Sequence, residues 1–137
     1  MSLTLVMAAC NSSKKTAAAT PGTFLTGNNW KLIKVRDMMD HSAAGSRTLV
    51  LEIPDKKGKG KFSGQGGCNT FNGNYMADND KKTVSFSDIA STKVACSEMK
   101  KEDEYFSLLK SANSYRLADG ILKLYNGGDL LLTFQSK

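Results

Sequence analysis

The chain has 137 residues, 40% of them hydrophobic and 23% charged, a globular balance that excludes a fibrous or wholly disordered protein and suits one domain. Its formal net charge is +6. The lysines are spread among acids with no arginine-rich stripe and no recognisable nucleic-acid module, so the charge describes a mildly basic surface rather than a nucleic-acid binder.

At the N-terminus, Leu5-Val6-Met7-Ala8-Ala9-Cys10 is an apolar run that ends in small residues before a cysteine. It resembles the lipobox of bacterial lipoproteins, in which that thiol receives diacylglycerol. The segment that follows, 11–22, is polar and rich in small residues, the composition of a tether rather than a packed element. A signal peptide calls for a charged start and an apolar stretch of ~7–15 residues. No charge precedes Cys10, so Met1-Ser2-Leu3 is read as standing in place of a natural start. The expected organisation is a signal-peptide remnant over 1–9, a lipidated Cys10 with its tether over 10–26, and a folded domain over 27–137. The alternative is an ordinary cysteine near a frayed end.

From Thr26 onward the pattern is mostly β. Strands are expected over Trp30–Val35, over Thr48–Ile53 up to Pro54, over Lys59–Gly64 after the turn Asp55-Lys56-Lys57-Gly58, and over Thr83–Ser87. Leu122–Tyr125 and Leu130–Phe134 flank Asn126-Gly127-Gly128-Asp129, whose residues tolerate the positive φ of a tight hairpin. Between Thr83–Ser87 and Leu122–Tyr125 lies one helix, with Ser97 as N-cap and Glu98, Glu102, Asp103 and Glu104 as acids toward its positive end. Met99, Phe106 and Leu109 form its apolar face, with Tyr105 and Ala112 alongside. Short strands with a single amphipathic helix predict a mainly β (α+β) fold: a curved antiparallel sheet or small barrel with the helix packed over it.

The segment Gly64–Tyr75 is the distinctive one. Its Gly67-Cys68-Asn69 turn and downstream Gly73-x-Tyr75, after Trp30-x-Leu32 and before Thr92-Lys93-Val94-Ala95-Cys96, Glu104 and Phe106, resemble the signature of the META (HslJ-like) domain family. The resemblance runs from about Gly27 to the C-terminus. It implies a small β domain, often in the envelope or secreted, without established catalysis, in a family linked to heat stress and antibiotic tolerance. The residues carry a structural reading of their own: Gly64, Gly66 and Gly67 permit a tight turn, Asn69 caps it, and Gly73 and Tyr75 fit a strand passing close to a neighbour.

With Cys10 acylated, Cys68 and Cys96 remain as a pair. A disulfide between them suits an oxidising periplasm and stabilises by ~3–4 kcal/mol on the chain-entropy account. The competing reading is two buried, reduced thiols. A redox-active pair is disfavoured because there is no Cys-x-x-Cys.

Reactive constellations are sparse. His41 is the single histidine, and neither Cys68 nor Ser63 is marked as its activated nucleophile. Asp78-Asn79-Asp80 fails as a calcium loop, since Lys82 stands where a ligand belongs. No metal ligands or cofactor residues are expected. Lys56, Lys57, Lys59 and Lys61 form the best surface candidate, either for contact with anionic lipid or simply for solubility. The sequence thus points to a non-catalytic, monomeric envelope protein that binds a partner or supports integrity under stress. A carrier holding an apolar ligand inside the barrel comes second, and a hydrolase using His41 third.

Overall fold

The computed structural model describes residues 24–41 and 46–137. Cys10, the tether and residues 42–45 lie outside the described residues, so the lipobox expectation is not addressed there.

Alternation builds the sheet. In β1 (Trp30–Val35) Trp30 and Leu32 are buried while Lys31 is exposed, the two-residue period of a strand with one wet face. The same rhythm runs through β5 (Thr70–Asp78), where Phe71, Gly73 and Tyr75 face inward between exposed neighbours. β2 (Met38–Met39), β3 (Thr48–Leu51), β4 (Lys59–Gln65), β6 (Thr83–Ser91), β7 (Ser114–Ala118), β8 (Ile121–Asn126) and β9 (Asp129–Ser136) complete one antiparallel sheet. β1 pairs with both β3 and β9, so the sheet closes into a ring, and β2 is a short hairpin return on β1. Closure removes the exposed edges that an open sheet would present.

The expected mainly β architecture with one helix is the observed one. The strand limits differ in instructive ways. β3 ends at Leu51, and Ile53 turns outward to 82% exposure ahead of Pro54. β6 runs four residues past the expected end because it bends instead of stopping: Asp88 takes a φ of 53°, opposite a register shift between Asn72 and Asn74 of β5. Gly73 sits inside that bulge, where a Cβ would lie 2.7 Å from the Ser87 carbonyl and from the Phe62 ring. β2 and β7 were not expected at all.

The ring is filled by large side chains. Trp30, Phe62, Phe86 and Phe134 are all buried, with Phe62 meeting Phe86 edge-on at 5.1 Å. β6 and β7 share only the Thr83–Ser114 pairing, and the intervening helix α1 (Met99–Ser111) packs beside that weak seam against β6. Two expectations about α1 are corrected. It begins after Glu98 rather than Ser97, and no side chain caps it; the Glu98 amide instead reaches Cys96 Sγ at 3.3 Å. Its buried face is Glu102, Tyr105, Leu108 and Leu109, a rotation from the expected stripe that leaves Met99 and Phe106 half-buried. Tyr105 is drawn inward because it packs edge-on to Phe71 and tilted against Phe134, and its hydroxyl donates to the Thr48 carbonyl at 2.8 Å. Among the described residues, no helix is long and apolar enough to cross a membrane.

Candidate functional site

Two places concentrate polar groups, one beneath the helix and one at an open groove in the ring. Beneath the helix, the turn between β4 and β5 brings Gly67, with a φ of 111°, next to Cys68 and Asn69. A residue with a Cβ is strained there, which explains the glycine. The turn points its amides at α1. Glu102 Oε2 accepts from the Cys68 amide at 2.9 Å and the Asn69 amide at 2.7 Å, while its Oε1 accepts from Asn69 Nδ2 at 2.7 Å. Gly66 makes room for this carboxylate, since a Cβ there would lie 2.7 Å from Oε2.

Asn69 is fully used. Its Oδ1 accepts from Thr92 Oγ1 at 2.8 Å and from the Val94 amide at 2.7 Å, and its Nδ2 also donates to the Val94 carbonyl at 3.1 Å. On the other side of the turn, the buried Arg47 donates through Nε to the Gly66 carbonyl at 3.1 Å and forms an ion pair with Asp40 at 2.7 Å. Cys68 and Cys96 stand at disulfide distance, with Cα atoms 5.9 Å apart, tying the turn to the approach of the helix. The motif residues therefore form a knot in which the donors of Asn69 and of the turn amides meet acceptors, while Arg47 Nη2 is buried without a partner among the described residues. It has the chemistry of a fastening, with a carboxylate already occupied by three N–H groups.

The remaining candidates are dispersed. His41 is exposed, and its carbonyl accepts from Lys101 Nζ at 2.7 Å. Ser63 lies on the outer face of β4, paired with Asn72. Among the described residues, no three His, Cys, Asp or Glu side chains gather into a metal-binding group. Asp78-Asn79-Asp80 is a turn in which Asp78 Oδ1 accepts the Asp80 and Lys81 amides at 2.9 and 3.1 Å. Glu104 is exposed, and Phe106 leans on Phe71 at 5.0 Å.

The open groove has a volume of about 960 Å3. Its walls come from the β3–β4 turn, the end of β5, the start of β6 and the first described residues, Phe24 to Thr26. Two tyrosines stand in the wall. Tyr75 donates to the Glu52 carbonyl, and Tyr115 donates to Asn79 Oδ1 at 2.6 Å. Burial, aided by the Glu52 charge, pushes the Tyr75 phenol up to about 12, and burial with Asp78 raises that of Tyr115. Both are neutral donors at ordinary pH. The four expected lysines divide here: Lys56 and Lys57 line the groove, whereas Lys59 and Lys61 are exposed on β4 outside it. Lys81 and Lys82, from the β5–β6 turn, take their place in the groove wall.

Sequence reasoning missed the buried roles of Glu102 and Arg47 and the union of the two lysine turns. Glu102 was detectable in principle, because it lies three and seven residues before Tyr105 and Leu109 and so shares their helical face. Nothing local marks the lysine turns as neighbours; the pairing of β4 with β5 brings them together.

A model of the family described as META domain matches residues 23–137. An NMR structure of a protein from Burkholderia xenovorans is similar to this chain, with 21% identity over 93% of this chain and 97% of that one, at a TM-score of 0.61. A second NMR structure has 21% identity over 86% of this chain and 95% of its own, at a TM-score of 0.60. A crystal structure of a DUF4847 family protein from Bacteroides vulgatus has 23% identity over 65% of this chain and 57% of its own, with a TM-score of 0.45. No curated protein sequence matches.

Proposed function

The chain belongs to the META domain family, and from that premise we propose that it is a non-catalytic domain of the bacterial cell envelope, held at the membrane by a lipid on Cys10 and stapled by a Cys68–Cys96 disulfide. The observation that carries this reading is the placement of Cys68 and Cys96 at disulfide distance inside the helix-side knot. Structural disulfides persist in oxidising compartments and are rare in reducing ones. The lipobox-like run before Cys10 supplies the matching address.

The knot also supports a role without catalysis. Glu102 and Asn69 are the polar side chains that a reaction would recruit, and their donors and acceptors are taken by one another and by backbone. The domain acts by binding a partner, or by supporting the envelope under stress, rather than by turning over a substrate. The carrier reading loses its footing because Trp30, Phe62, Phe86 and Phe134 fill the interior in which an apolar ligand would sit.

The test is the intact mass of the mature protein, extracted from membranes after expression of its precursor with a natural signal peptide. The expected product starts at Cys10, carries diacylglycerol and lacks two hydrogens at Cys68 and Cys96. A soluble, unmodified chain with free thiols would overturn both the anchor and the bridge.

A further inference from the structure

We propose that the open groove is a membrane-docking face, with which the domain settles onto an anionic phospholipid surface. The face is built from two turns that are apart in sequence. Lys56 and Lys57 come from the β3–β4 turn, and Lys81 and Lys82 from the turn between β5 and β6. Asp55 and Asp78 share the groove and keep their negative charges, which the four lysines outnumber, while each carboxylate also holds its own turn. Asp55 Oδ1 accepts the Lys57 and Lys59 amides at 2.8 and 3.0 Å, as Asp78 Oδ1 accepts those of Asp80 and Lys81. Among the described residues, none of the four ammonium groups forms an ion pair with a carboxylate. Lys82 lies 5.8 Å over the Tyr115 ring. Lys81 and Lys82 also border a smaller groove with Arg116, which extends the positive surface.

Apolar side chains stand among these charges. Phe24 is 61% exposed at one wall, Met76 is 46% exposed at another, and Ile53 is exposed beside Pro54 of the lining. Large apolar groups interspersed with lysines match the boundary of an anionic bilayer, where rings and aliphatic chains enter the headgroup layer and ammonium groups meet phosphates. A freely dissolved anion offers nothing to Phe24 or Ile53. Residues 11–23 link Cys10 to Phe24, whose Cα atoms stand at most about 50 Å apart when the link is fully extended. A lipid on Cys10 therefore holds the domain close to the bilayer, and Phe24, where the link enters the domain, is itself part of the groove wall. The docking face rests on the anchored reading for that proximity alone, since its charge and apolar groups exist without the lipid.

The experiment uses the full 137-residue chain without acylation, so its outcome is independent of whether Cys10 acquires lipid. The chain is sedimented with vesicles of phosphatidylcholine, alone or mixed with phosphatidylglycerol. Binding is expected to the mixed vesicles and to weaken with salt. Replacing Lys56, Lys57, Lys81 and Lys82 together by Gln is expected to weaken it by more than about tenfold, each lysine near the surface being worth roughly fivefold. The Lys59→Gln, Lys61→Gln pair is expected to bind within about twofold of the parent, as groups outside the docking face should. Phe24→Trp tests the same face without removing charge: its emission should move to the blue on the mixed vesicles, and that of Met38→Trp, on β2, should not. The proposal is overturned if the unacylated chain ignores mixed vesicles, or if the four-lysine variant binds as the parent does. It is equally overturned if the Lys59, Lys61 pair loses as much, or if glycerol phosphate displaces the chain as effectively as vesicles do, which would make the groove a site for a free anion.

Discussion

The helix-side knot and the open groove are both polar, yet they handle their polar groups in opposite ways. Beneath α1, Glu102, Asn69 and the Cys68 amide are withdrawn from water and paired with one another. At the groove, four lysines and an exposed phenylalanine stand in solvent, the lysines outnumbering the two acids of the lining and none of them ion-paired among the described residues. Buried polar groups must be satisfied internally or they cost stability, so the knot fastens the fold. Exposed charges add little to stability and are free to meet a partner. On the docking proposal, one region serves stability and the other recognition, and that division can be tested by substitution.

The largest effect is expected at Glu102. Truncation to Ala leaves the Cys68 and Asn69 amides and Asn69 Nδ2 facing an apolar void, and unsatisfied buried donors cost roughly 1–3 kcal/mol each, with partial relaxation. A loss of about 4 kcal/mol is expected in a urea titration, a large part of what a domain of this size holds. Glu102→Gln should fall between, because an amide must turn its NH2 toward at least one of the donors that the carboxylate accepts. A Glu102→Ala domain as stable as the parent would break the comparison, since the knot would then fasten nothing.

How much of this was legible in the sequence differs between the same two regions. Trp30–Val35, Thr83–Ser87 and the Asn126–Asp129 hairpin were readable because alternation and turn chemistry are local. The mainly β fold with its helix followed from them, and the Gly67-Cys68-Asn69 signature was visible as a turn. The partner of that turn was not visible, because Glu102 was counted among several acids at a helix start, and only its place on the face of Tyr105 and Leu109 distinguishes it. β7 escaped notice because Ser114–Ala118 has one buried aromatic, Tyr115, among half-buried and exposed residues. The lysines were seen as one run, 56–61. Strand alternation splits them, turning Lys59 and Lys61 to the outside of β4, while the neighbouring turn substitutes Lys81 and Lys82. Such a composite surface is a product of register, which composition does not encode.

An intermediate effect is expected in the groove wall, where Tyr75 is both part of the surface and a packing group. Its phenol titrates at about 12 rather than the ordinary 10.0, because burial first and the Glu52 charge second disfavour the phenolate. A group whose folded value is raised gives its full stability below the unfolded value and loses it as pH rises through the folded one. Alkaline destabilisation should therefore set in near pH 10 and run to about pH 12. Tyr75→Phe gives up the hydrogen bond to the Glu52 carbonyl, a loss of about 1 kcal/mol at neutral pH. The difference between parent and variant should shrink across that window, as followed by urea titrations at pH 8, 10 and 11. A constant difference would remove Tyr75 from the titration and leave Tyr105 and Tyr115, whose phenols burial also raises, to explain it.

The smallest effect is expected from the four lysines, and its smallness is informative. Gln keeps the aliphatic stem that covers neighbouring surface, so the four-lysine Gln variant loses charge without opening a cavity. None of the four is ion-paired among the described residues, so no bond is broken apart from the loose placement of Lys82 over Tyr115. Surface changes of this kind stay within about 0.5 kcal/mol per site. Relief of repulsion between neighbouring ammonium groups opposes even that, and the opposition should fade as salt screens the charges. The expected thermal midpoint is that of the parent within about 2 °C at moderate salt. Should the midpoint drop as far as it does for Glu102→Ala, the lysines would belong to the scaffold, and the division between a fastened end and an available one would fail. An unchanged midpoint alongside weakened vesicle binding would instead locate the cost of those four charges where the groove places it, in what the domain touches.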